Sequence, residues 1–240
     1  MSSGSRRVAA VAGGAGGIGR AVCQALARAG YAVGVLDRDL AGARQVSELI
    51  GADSALAVDC DVCVREACDH ALSALEPLGD LDVVVMAAGT TVSGDLRSGD
   101  PARWREVYEV NVLGTMHLAQ AALGRLAPRG TGHIVVVASL SGTVAYTGEP
   151  IYLSSKWAQL GFTRALRQEA RTYGVAVTTV LPGLVDTPLS RGNDAAERLF
   201  SEIGEPLQPE DVAAAVVWSL SQPARVNVGE ILLRPLQQAL

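Results

Sequence analysis

Hydrophobic positions follow two alternating patterns along the chain. Short runs rich in Val, Ile and Leu recur between longer stretches in which apolar residues return every three or four positions. Short unbroken apolar runs are typical of parallel strands buried on both faces, and the longer spacing is typical of amphipathic helices. The pattern predicts about seven strands, at residues 7–12, 32–37, 54–58, 82–88, 132–139, 176–181 and 230–234.

Helices are predicted in the intervals between these strands. Strands that alternate with helices build a parallel sheet covered by helices on both faces. The 240 residues fit one domain of this kind. The sequence therefore predicts an α/β fold, a doubly wound Rossmann sheet, as a single domain over residues 1–240. The predicted helices span residues 17–29, 41–50, 62–75, 102–126, 154–173 and 209–221.

Residues 187–209 interrupt this alternation. Their periodicity is weak, and apolar residues such as Leu189 and Leu199 are mixed with acidic ones. A loop of this length inside a compact domain is usually a lid or a binding element. We expect a lid over the substrate, in which Arg191 either recognises a carboxylate or faces water.

Composition and charge narrow the range of partners. The formal net charge of -5 and the absence of a Lys/Arg stripe exclude nucleic acid and an anionic membrane surface. No apolar run approaches the ~18 residues of a membrane-spanning helix, so we expect a cytoplasmic protein. Cys60 and Cys63 have the C-x-x-C spacing of a zinc or redox site, but no second ligand pair follows. Reduced thiols and no metal are predicted.

A glycine-rich turn follows the first predicted strand and leads directly into a helix. Its residues include Gly13, Gly17, Ile18 and Gly19. Because glycine lacks a Cβ, backbone N–H groups can approach a pyrophosphate, and the helix N-terminus adds partial positive charge. These four residues are predicted to bind the phosphates of a dinucleotide; a merely flexible turn is the alternative.

Acidic residues follow the next two predicted strands. Asp37 stands where a dinucleotide fold places the carboxylate that accepts hydrogen bonds from ribose hydroxyls. Such a carboxylate repels the 2′-phosphate of NADP, so NAD is the predicted cofactor. Arg38 leaves NADP open, because a guanidinium neutralises phosphate as readily as it stacks on adenine. Asp61, before Val62, is expected to meet the adenine amino group, to cap the next helix, or both.

Tyr152 and Lys156 are four positions apart and therefore share one face of a helix. A free tyrosine has a pKa near 10, so acid/base work at neutral pH requires a positive charge beside the phenol. Lys156 is placed to supply that charge. The spacing also occurs by chance in many helices, where the lysine is merely solvated.

The wider set of motifs is more specific than this pair. The glycine-rich turn, Asp37, Asn111, Ser139 and the Tyr152/Lys156 pair occur in an order that resembles the classical short-chain dehydrogenase/reductase family. The resemblance covers essentially the whole chain. It implies that Tyr152 is the general acid/base, that Lys156 lowers its pKa and binds the nicotinamide ribose, and that Ser139 hydrogen-bonds the substrate oxygen. Asn111 is implied to bend its helix and hold a water in a proton relay.

The segment after the sixth predicted strand is also similar to its counterpart in the family. The resemblance implies that Thr187 and the backbone of Val185, beside Pro182 and Gly183, hold the nicotinamide carboxamide. Upstream of Tyr152, three further residues are expected near the substrate pocket: Ser141, Tyr146 and Glu149.

Two positions depart from the family pattern. Ala12 replaces the usual Thr before the glycine-rich turn, and Met86 with Ala87 replace two Asn residues. Both changes remove polar side chains from the central strands, so we expect them to affect local stability and cofactor affinity. Ala88 and Gly89 still allow the backbone to approach the nicotinamide ribose.

The sequence predicts an oxidoreductase that transfers a hydride between NAD(H) and a secondary alcohol or ketone. Two alternatives stay open: an NADP(H)-dependent ketoreductase of the 3-oxoacyl or hydroxy-acid type, and a non-catalytic NAD-sensing protein. The resemblance further implies a homotetramer or homodimer that assembles through the predicted helices at 102–126 and 154–173.

Overall fold

Seven parallel strands form one sheet in the part of the chain that the computed structural model describes, residues 6–191 and 194–239. The strands are β1 Arg7–Ala12, β2 Ala32–Asp37, β3 Ala55–Asp59, β4 Asp80–Met86, β5 His133–Val137, β6 Ala176–Pro182 and β7 Glu230–Leu233. Their order across the sheet is β3-β2-β1-β4-β5-β6-β7. The order reverses between β1 and β4, and such a switch point opens a crevice at the carboxyl ends of the strands.

Helices cover both faces of this sheet. They are α1 Gly17–Arg28, α2 Leu40–Ile50, α3 Arg65–Ser73, α4 Pro101–Tyr108, α5 Gly114–Leu126, α6 Pro150–Ala170, α7 Pro188–Arg191, α8 Asp194–Ile203 and α9 Pro209–Leu220. One apolar core packs α3, α5 and α6 against the sheet, and the other packs α1, α2 and α9 against the opposite face. Successive residues of β1 alternate between the two cores, with Val8 in the first and Ala9 in the second. The predicted doubly wound α/β fold is confirmed.

The helix predicted at 102–126 is divided in two. Between α4 and α5, Glu109–Leu113 form a π-helical turn that contains Asn111. One turn further on, Thr115 Oγ1 donates to the carbonyl oxygen of Asn111 at 2.7 Å, a bond that bends helices. Single π turns inside α-helices are frequent at functional sites.

The helix that carries Tyr152 begins earlier than its apolar spacing predicts. Pro150 occupies the first helical turn, where its missing N–H has no partner to lose. Tyr152 therefore lies in the first turn of α6 and Lys156 in the second. The prediction that both residues share a helix face holds, although the predicted start at 154 is wrong.

The segment 187–209 is not an irregular loop in its described part, because it contains α7 and α8. Gly192 and Asn193 lie outside the described residues. The end of the segment pairs with the residues just before its start. The Leu207 amide donates to Leu184 O at 3.0 Å, and the Asp186 amide donates to Leu207 O at 2.8 Å. The sequence pattern missed α7, which has only four residues, and α8, which has ten.

The positions that depart from the family pattern at the ends of β1 and β4 are neighbours in the sheet. Ala12 pairs with Met86 in the register of these strands, and both side chains are buried in the same apolar core. The two positions that differ from the family pattern thus contact each other as an apolar pair, and neither leaves a buried polar group without a partner.

Candidate active site

A cavity of about 1160 Å³ opens at the carboxyl ends of β5 and β6. Ser139 and Tyr152 line one wall, and Ile18 contributes from the first turn of α1. The lid helices α7 and α8 close another side through Leu189 and Leu199. The cavity therefore lies at the edge of the sheet where ligands bind in doubly wound folds.

Lys156 is buried behind Tyr152, with Nζ 5.7 Å from the centroid of the tyrosine ring. Burial lowers the pKa of Lys156 to about 8, because a desolvated ammonium is costly. Burial also raises the pKa of Tyr152 to about 12; a hydrogen bond with Ser139 opposes this effect and the charge of Glu149 adds to it. Desolvation therefore raises the pKa of Tyr152 by more than the protein's own groups lower it, which differs from the lowered pKa that the sequence leads us to expect.

A buried glutamine that sequence analysis missed is the partner of Lys156. Lys156 Nζ donates to Gln159 Oε1 at 3.0 Å, and Gln159 Nε2 donates to Thr115 Oγ1 at 2.8 Å. Thr115 in turn donates to the backbone carbonyl of Asn111. The available signal was a polar residue three positions after Lys156, hence on the same helix face. The ammonium is thus fixed by a neutral amide rather than by a carboxylate.

Asn111 joins three segments around the cavity. Its side chain exchanges two hydrogen bonds of 2.9 Å with the backbone of Thr90, which follows β4. Its Nδ2 atom also donates to Ser155 Oγ at 3.0 Å. The π turn presents this side chain to the segment after β4 and to α6 together, so Asn111 holds the reacting helix in place.

Ser139 follows β5 and is oriented by the backbone. The Ser141 amide donates to Ser139 Oγ at 3.1 Å. The serine oxygen accepts this bond and keeps its single proton to donate on the cavity side. Its interaction with Tyr152 lowers the pKa of the phenol, which is the effect of a donor to the phenolate oxygen.

The three residues expected near the substrate pocket form one polar wall of the cavity. Ser141 Oγ and Tyr146 OH are 2.8 Å apart, and Tyr146 OH donates to Glu149 Oε2 at 3.0 Å. On the other side, Thr91 Oγ1 donates to Glu149 Oε1 at 3.2 Å. All four side chains line the cavity. Glu149 is a buried carboxylate, only 5% exposed.

The glycine-rich turn forms a close cradle at the start of α1. A Cβ on Gly13 would lie 2.6 Å from the Ala88 amide nitrogen, and one on Gly19 would lie 1.9 Å from Gly13 O. A Cβ on Gly17 would lie 2.9 Å from Thr187 Cγ2. Side chains are excluded at all three positions, so backbone amides and the helix N-terminus remain exposed to an anion. These residues fit a dinucleotide phosphate.

The residues predicted for the adenosine end lie at the carboxyl ends of β2 and β3. Asp37 accepts hydrogen bonds from the Ala15 and Asp39 amides, both at 3.0 Å, and Arg38 is exposed. Asp61 accepts from the Cys63 amide at 2.9 Å.

The expected helix cap at Asp61 is wrong. Val64 is the residue at the N-terminal end of α3, and Asp61 instead closes the turn that precedes it. The neighbouring Val62 is buried, with its carbonyl oxygen 3.0 Å from His117 Nδ1.

Four residues after β6 that are predicted to bind the cofactor line the cavity together: Pro182, Gly183, Val185 and Thr187. Ser190 Oγ organises the last two, because it donates to Val185 O at 2.6 Å and accepts from the Thr187 amide at 3.0 Å. Gly89 lies near Lys156, since a Cβ at Gly89 would lie 3.7 Å from Lys156 Nζ. The segments predicted to bind the cofactor and the residues predicted to react therefore lie close together.

The described residues were searched for metal-ion sites and for membrane-spanning helices. No group of three or more His, Cys, Asp or Glu side chains among them is placed to hold a metal ion. No described helix has the length and apolarity needed to cross a bilayer.

Comparison with known proteins gives consistent matches. A sequence profile described as short chain dehydrogenase matches residues 7–198. An uncharacterized oxidoreductase of Staphylococcus epidermidis is 33% identical over 237 residues, which cover 98% of this chain and 100% of the relative. An uncharacterized oxidoreductase of Staphylococcus aureus is 33% identical over 231 residues, or 96% of this chain and 97% of the relative.

A solved structure has the same architecture over nearly the full length. It is the alcohol dehydrogenase from the archaeon Thermococcus sibiricus, complexed with 5-hydroxy-NADP. The TM-score is 0.86 at 28% identity, and the match covers 98% of this chain and 99% of that chain.

Proposed function

Because this chain belongs to the short-chain dehydrogenase family of oxidoreductases, we propose that it transfers a hydride between NAD(H) and a secondary alcohol or its ketone. One observation carries the proposal: Ser139 and Tyr152 line one wall of the cavity, with Lys156 buried directly behind the tyrosine. This arrangement provides a hydroxyl donor, an acid/base and a cation around one substrate oxygen.

Tyr152 is proposed to exchange the proton of the reacting oxygen. The Ser139 hydroxyl donates to that oxygen and stabilises the negative charge that develops on it. Lys156, charged below its pKa of about 8, favours the phenolate form of Tyr152. When bound, the nicotinamide cofactor would accept or supply the hydride.

Asn111 and Gln159 are proposed to support this proton transfer without reacting. Gln159 fixes the Lys156 ammonium. The Asn111 carbonyl accepts one bond from Thr115 and keeps a second lone pair for the relay water.

The cofactor is proposed to be NAD, with NADP as the second candidate. Asp37 supports NAD, because its carboxylate stands at the end of β2 beside the glycine-rich turn and repels a 2′-phosphate. The complex of the archaeal alcohol dehydrogenase with 5-hydroxy-NADP, and the exposed Arg38 here, favour NADP. The residues proposed to hold either cofactor are Gly13, Gly17, Ile18, Gly19, Asp37, Arg38, Asp61, Val62, Ala88, Gly89, Tyr152, Lys156, Pro182, Gly183, Val185 and Thr187.

A homotetramer or homodimer is proposed on the basis of two exposed apolar surfaces. The first consists of Tyr108, Leu113 and Trp157, on or next to the two long helices, and each is more than a third exposed. The second consists of Trp218 and Leu232, on α9 and β7, with exposures of 53% and 46%. Large apolar side chains of this kind favour contacts between subunits.

Tyr152→Phe tests the enzymatic mechanism. Turnover of a secondary alcohol is expected to fall about 10²- to 10⁴-fold, the usual contribution of a general acid/base, while cofactor affinity stays within about twofold. Tyr173→Phe, an exposed tyrosine after α6, is the matched control and should retain activity. Unchanged turnover in Tyr152→Phe would remove the proposed mechanism.

Calorimetric titration with NADH and with NADPH tests the choice of cofactor. Tighter binding of NADH supports Asp37 as the discriminating residue, and Asp37→Ala should then reduce the preference. Tighter binding of NADPH would instead assign that role to Arg38. Binding of a cofactor without turnover of any alcohol or ketone in a broad panel would favour the sensing alternative.

A further inference from the structure

The residues that follow β7 fold over the segment that leaves β6 toward the cavity. β7 ends at Leu233, and the chain then turns, with the Gln238 amide donating to Pro235 O at 3.1 Å. The turn places the Gln238 side chain against Gly183, since a Cβ on Gly183 would lie 2.2 Å from Gln238 Oε1. The absence of a side chain at position 183 therefore lets the glutamine reach this backbone.

Gln238 holds the next peptide of that segment. Its Oε1 atom accepts a hydrogen bond of 2.9 Å from the Leu184 amide. Gln238 is partly buried, and it lines the cavity together with Gly183 and Leu184. The two bonded residues are 54 positions apart in the chain, so this contact ties the turn after β7 to the wall of the cavity.

The backbone is held on both sides of Val185. Before it, the Leu184 amide donates to Gln238 and the Leu184 carbonyl accepts from the Leu207 amide at 3.0 Å. After it, the Asp186 amide donates to Leu207 O at 2.8 Å. The Val185 amide itself has no partner among the described residues, although Val185 is only 6% exposed. A buried amide needs an acceptor, and one whose neighbours are fixed is preorganised to donate to a ligand.

We propose that Gln238 is a positioning residue for the nicotinamide half of the cofactor. It fixes the Leu184 peptide and, through it, the Val185 amide that would donate to the carboxamide. Gln238 thus acts through the backbone rather than on the reacting atoms. This inference rests on the proposed function, because it concerns how the same site holds its cofactor. Loss of the contact would displace the nicotinamide ring, and hydride transfer is sensitive to small displacements of the reacting atoms.

Gln238→Met tests the inference, because methionine has a similar length but lacks the oxygen that accepts from Leu184. Calorimetry measures the Kd of NADH and of ADP-ribose, which has the adenosine and both phosphates but no nicotinamide. The Kd of NADH is expected to rise about 10-fold, as the loss of one hydrogen bond allows, while the Kd of ADP-ribose stays within about twofold. If the parent chain prefers NADPH, the two ligands are NADPH and 2′-phospho-ADP-ribose.

Two further variants assign the effect to the acceptor oxygen. Gln238→Glu keeps an oxygen that accepts from the Leu184 amide, and both ligands carry the same diphosphate, so the added charge affects them alike. The ratio of its two Kd values should therefore match that of the parent. Gln222→Met is the control for a general loss of stability. It makes the same substitution after α9 and removes a bond of 2.9 Å from Gln222 Nε2 to Trp218 O, and its ratio should also match.

The failure of this inference is distinguishable from failure of the proposed function. Equal weakening of the two ligands in Gln238→Met, or no weakening of NADH, would overturn the role of Gln238 while leaving a dehydrogenase that binds its cofactor. The same selective loss in Gln238→Glu or in Gln222→Met would overturn it as well. Absence of NADH and NADPH binding to the parent chain, or of turnover with every secondary alcohol and ketone, would instead overturn the proposed function.

Discussion

Tyr152 stands between two polar networks, one around the buried Lys156 and one around the buried Glu149. On one side, Lys156 is fixed by Gln159 and Thr115, and within the described residues no carboxylate pairs with it. On the other side, hydroxyls of Tyr146 and Thr91 donate to Glu149. A neutral partner such as Gln159 fixes a charge in position without cancelling its field. The two networks therefore act on the pKa of Tyr152 in opposite directions. The ammonium favours the phenolate form, and the carboxylate opposes it.

The largest expected effect is on the free energy of unfolding, because burying the Lys156 ammonium destabilises the folded chain. The folded chain lowers the pKa of Lys156 from 10.5 to about 8. Between these values the unfolded chain binds more protons than the folded one, so the free energy of unfolding rises with pH. The full difference corresponds to about 3 kcal/mol.

In Lys156→Met, the free energy of unfolding should not show this rise with pH, because the ammonium is absent. Urea unfolding of both proteins from pH 7.5 to 9.5 measures it; Tyr152 remains protonated over this range because burial raises its pKa. The parent should gain stability relative to Lys156→Met as the pH increases. Parallel curves for the two proteins would show that the ammonium is not desolvated.

The second prediction concerns Gln159, the neutral hydrogen-bond partner of Lys156. Gln159→Glu places a carboxylate against the ammonium, which raises the pKa of Lys156 and cancels its field at Tyr152. The pH at which alcohol oxidation reaches half its maximal rate is expected to move up by about one unit, and the rate at pH 8 to fall about 10-fold.

Gln168→Glu provides the matched control for that change. It makes the same substitution at an exposed position of α6, where the glutamine accepts a bond from Arg171 at 3.3 Å. Its pH profile should match that of the parent. Equal shifts in the two variants would mean that the neutral amide at 159 has no special role.

The smallest effect is expected on the other side of Tyr152. Glu149→Gln removes a negative charge that raises the pKa of the phenol. The pH profile of oxidation should therefore move down, by about half a unit. Rapid kinetics with one neutral alcohol across pH 6 to 10 resolve such a change. A shift in the same direction as that of Gln159→Glu would contradict the opposition of the two networks.

Local sequence patterns predicted the scaffold, and the family resemblance added the candidate reacting groups. Each strand is a short apolar run, and the glycine-rich turn, Ser139 and Tyr152 follow strands or begin helices, so their places depend on neighbours in the chain. The predicted sheet is confirmed, and the predicted reacting residues do meet at one cavity.

Long-range burial was beyond the reach of the same patterns. In sequence, Gln159 resembles any polar residue on a helix surface, although it lies three positions after Lys156. The packing of α5 against α6 buries it and brings Thr115 to its amide. The carboxylate of Asp186 accepts two hydrogen bonds of 2.7 Å from Arg191, and this pairing likewise depends on the fold of α7. The four residues of α7 give too little periodicity to identify a helix. The helix α8 was missed although its ten residues make it longer than α3, which was predicted.

The pairing of Leu207 with the segment 184–186 gives α7 and α8 the character of an exchangeable module. Both ends of the module are fixed to one short stretch of backbone, next to the residues predicted to bind the carboxamide. Closing a longer loop between these ends costs little extra free energy. Changes in the length of this module are therefore expected to leave the sheet intact.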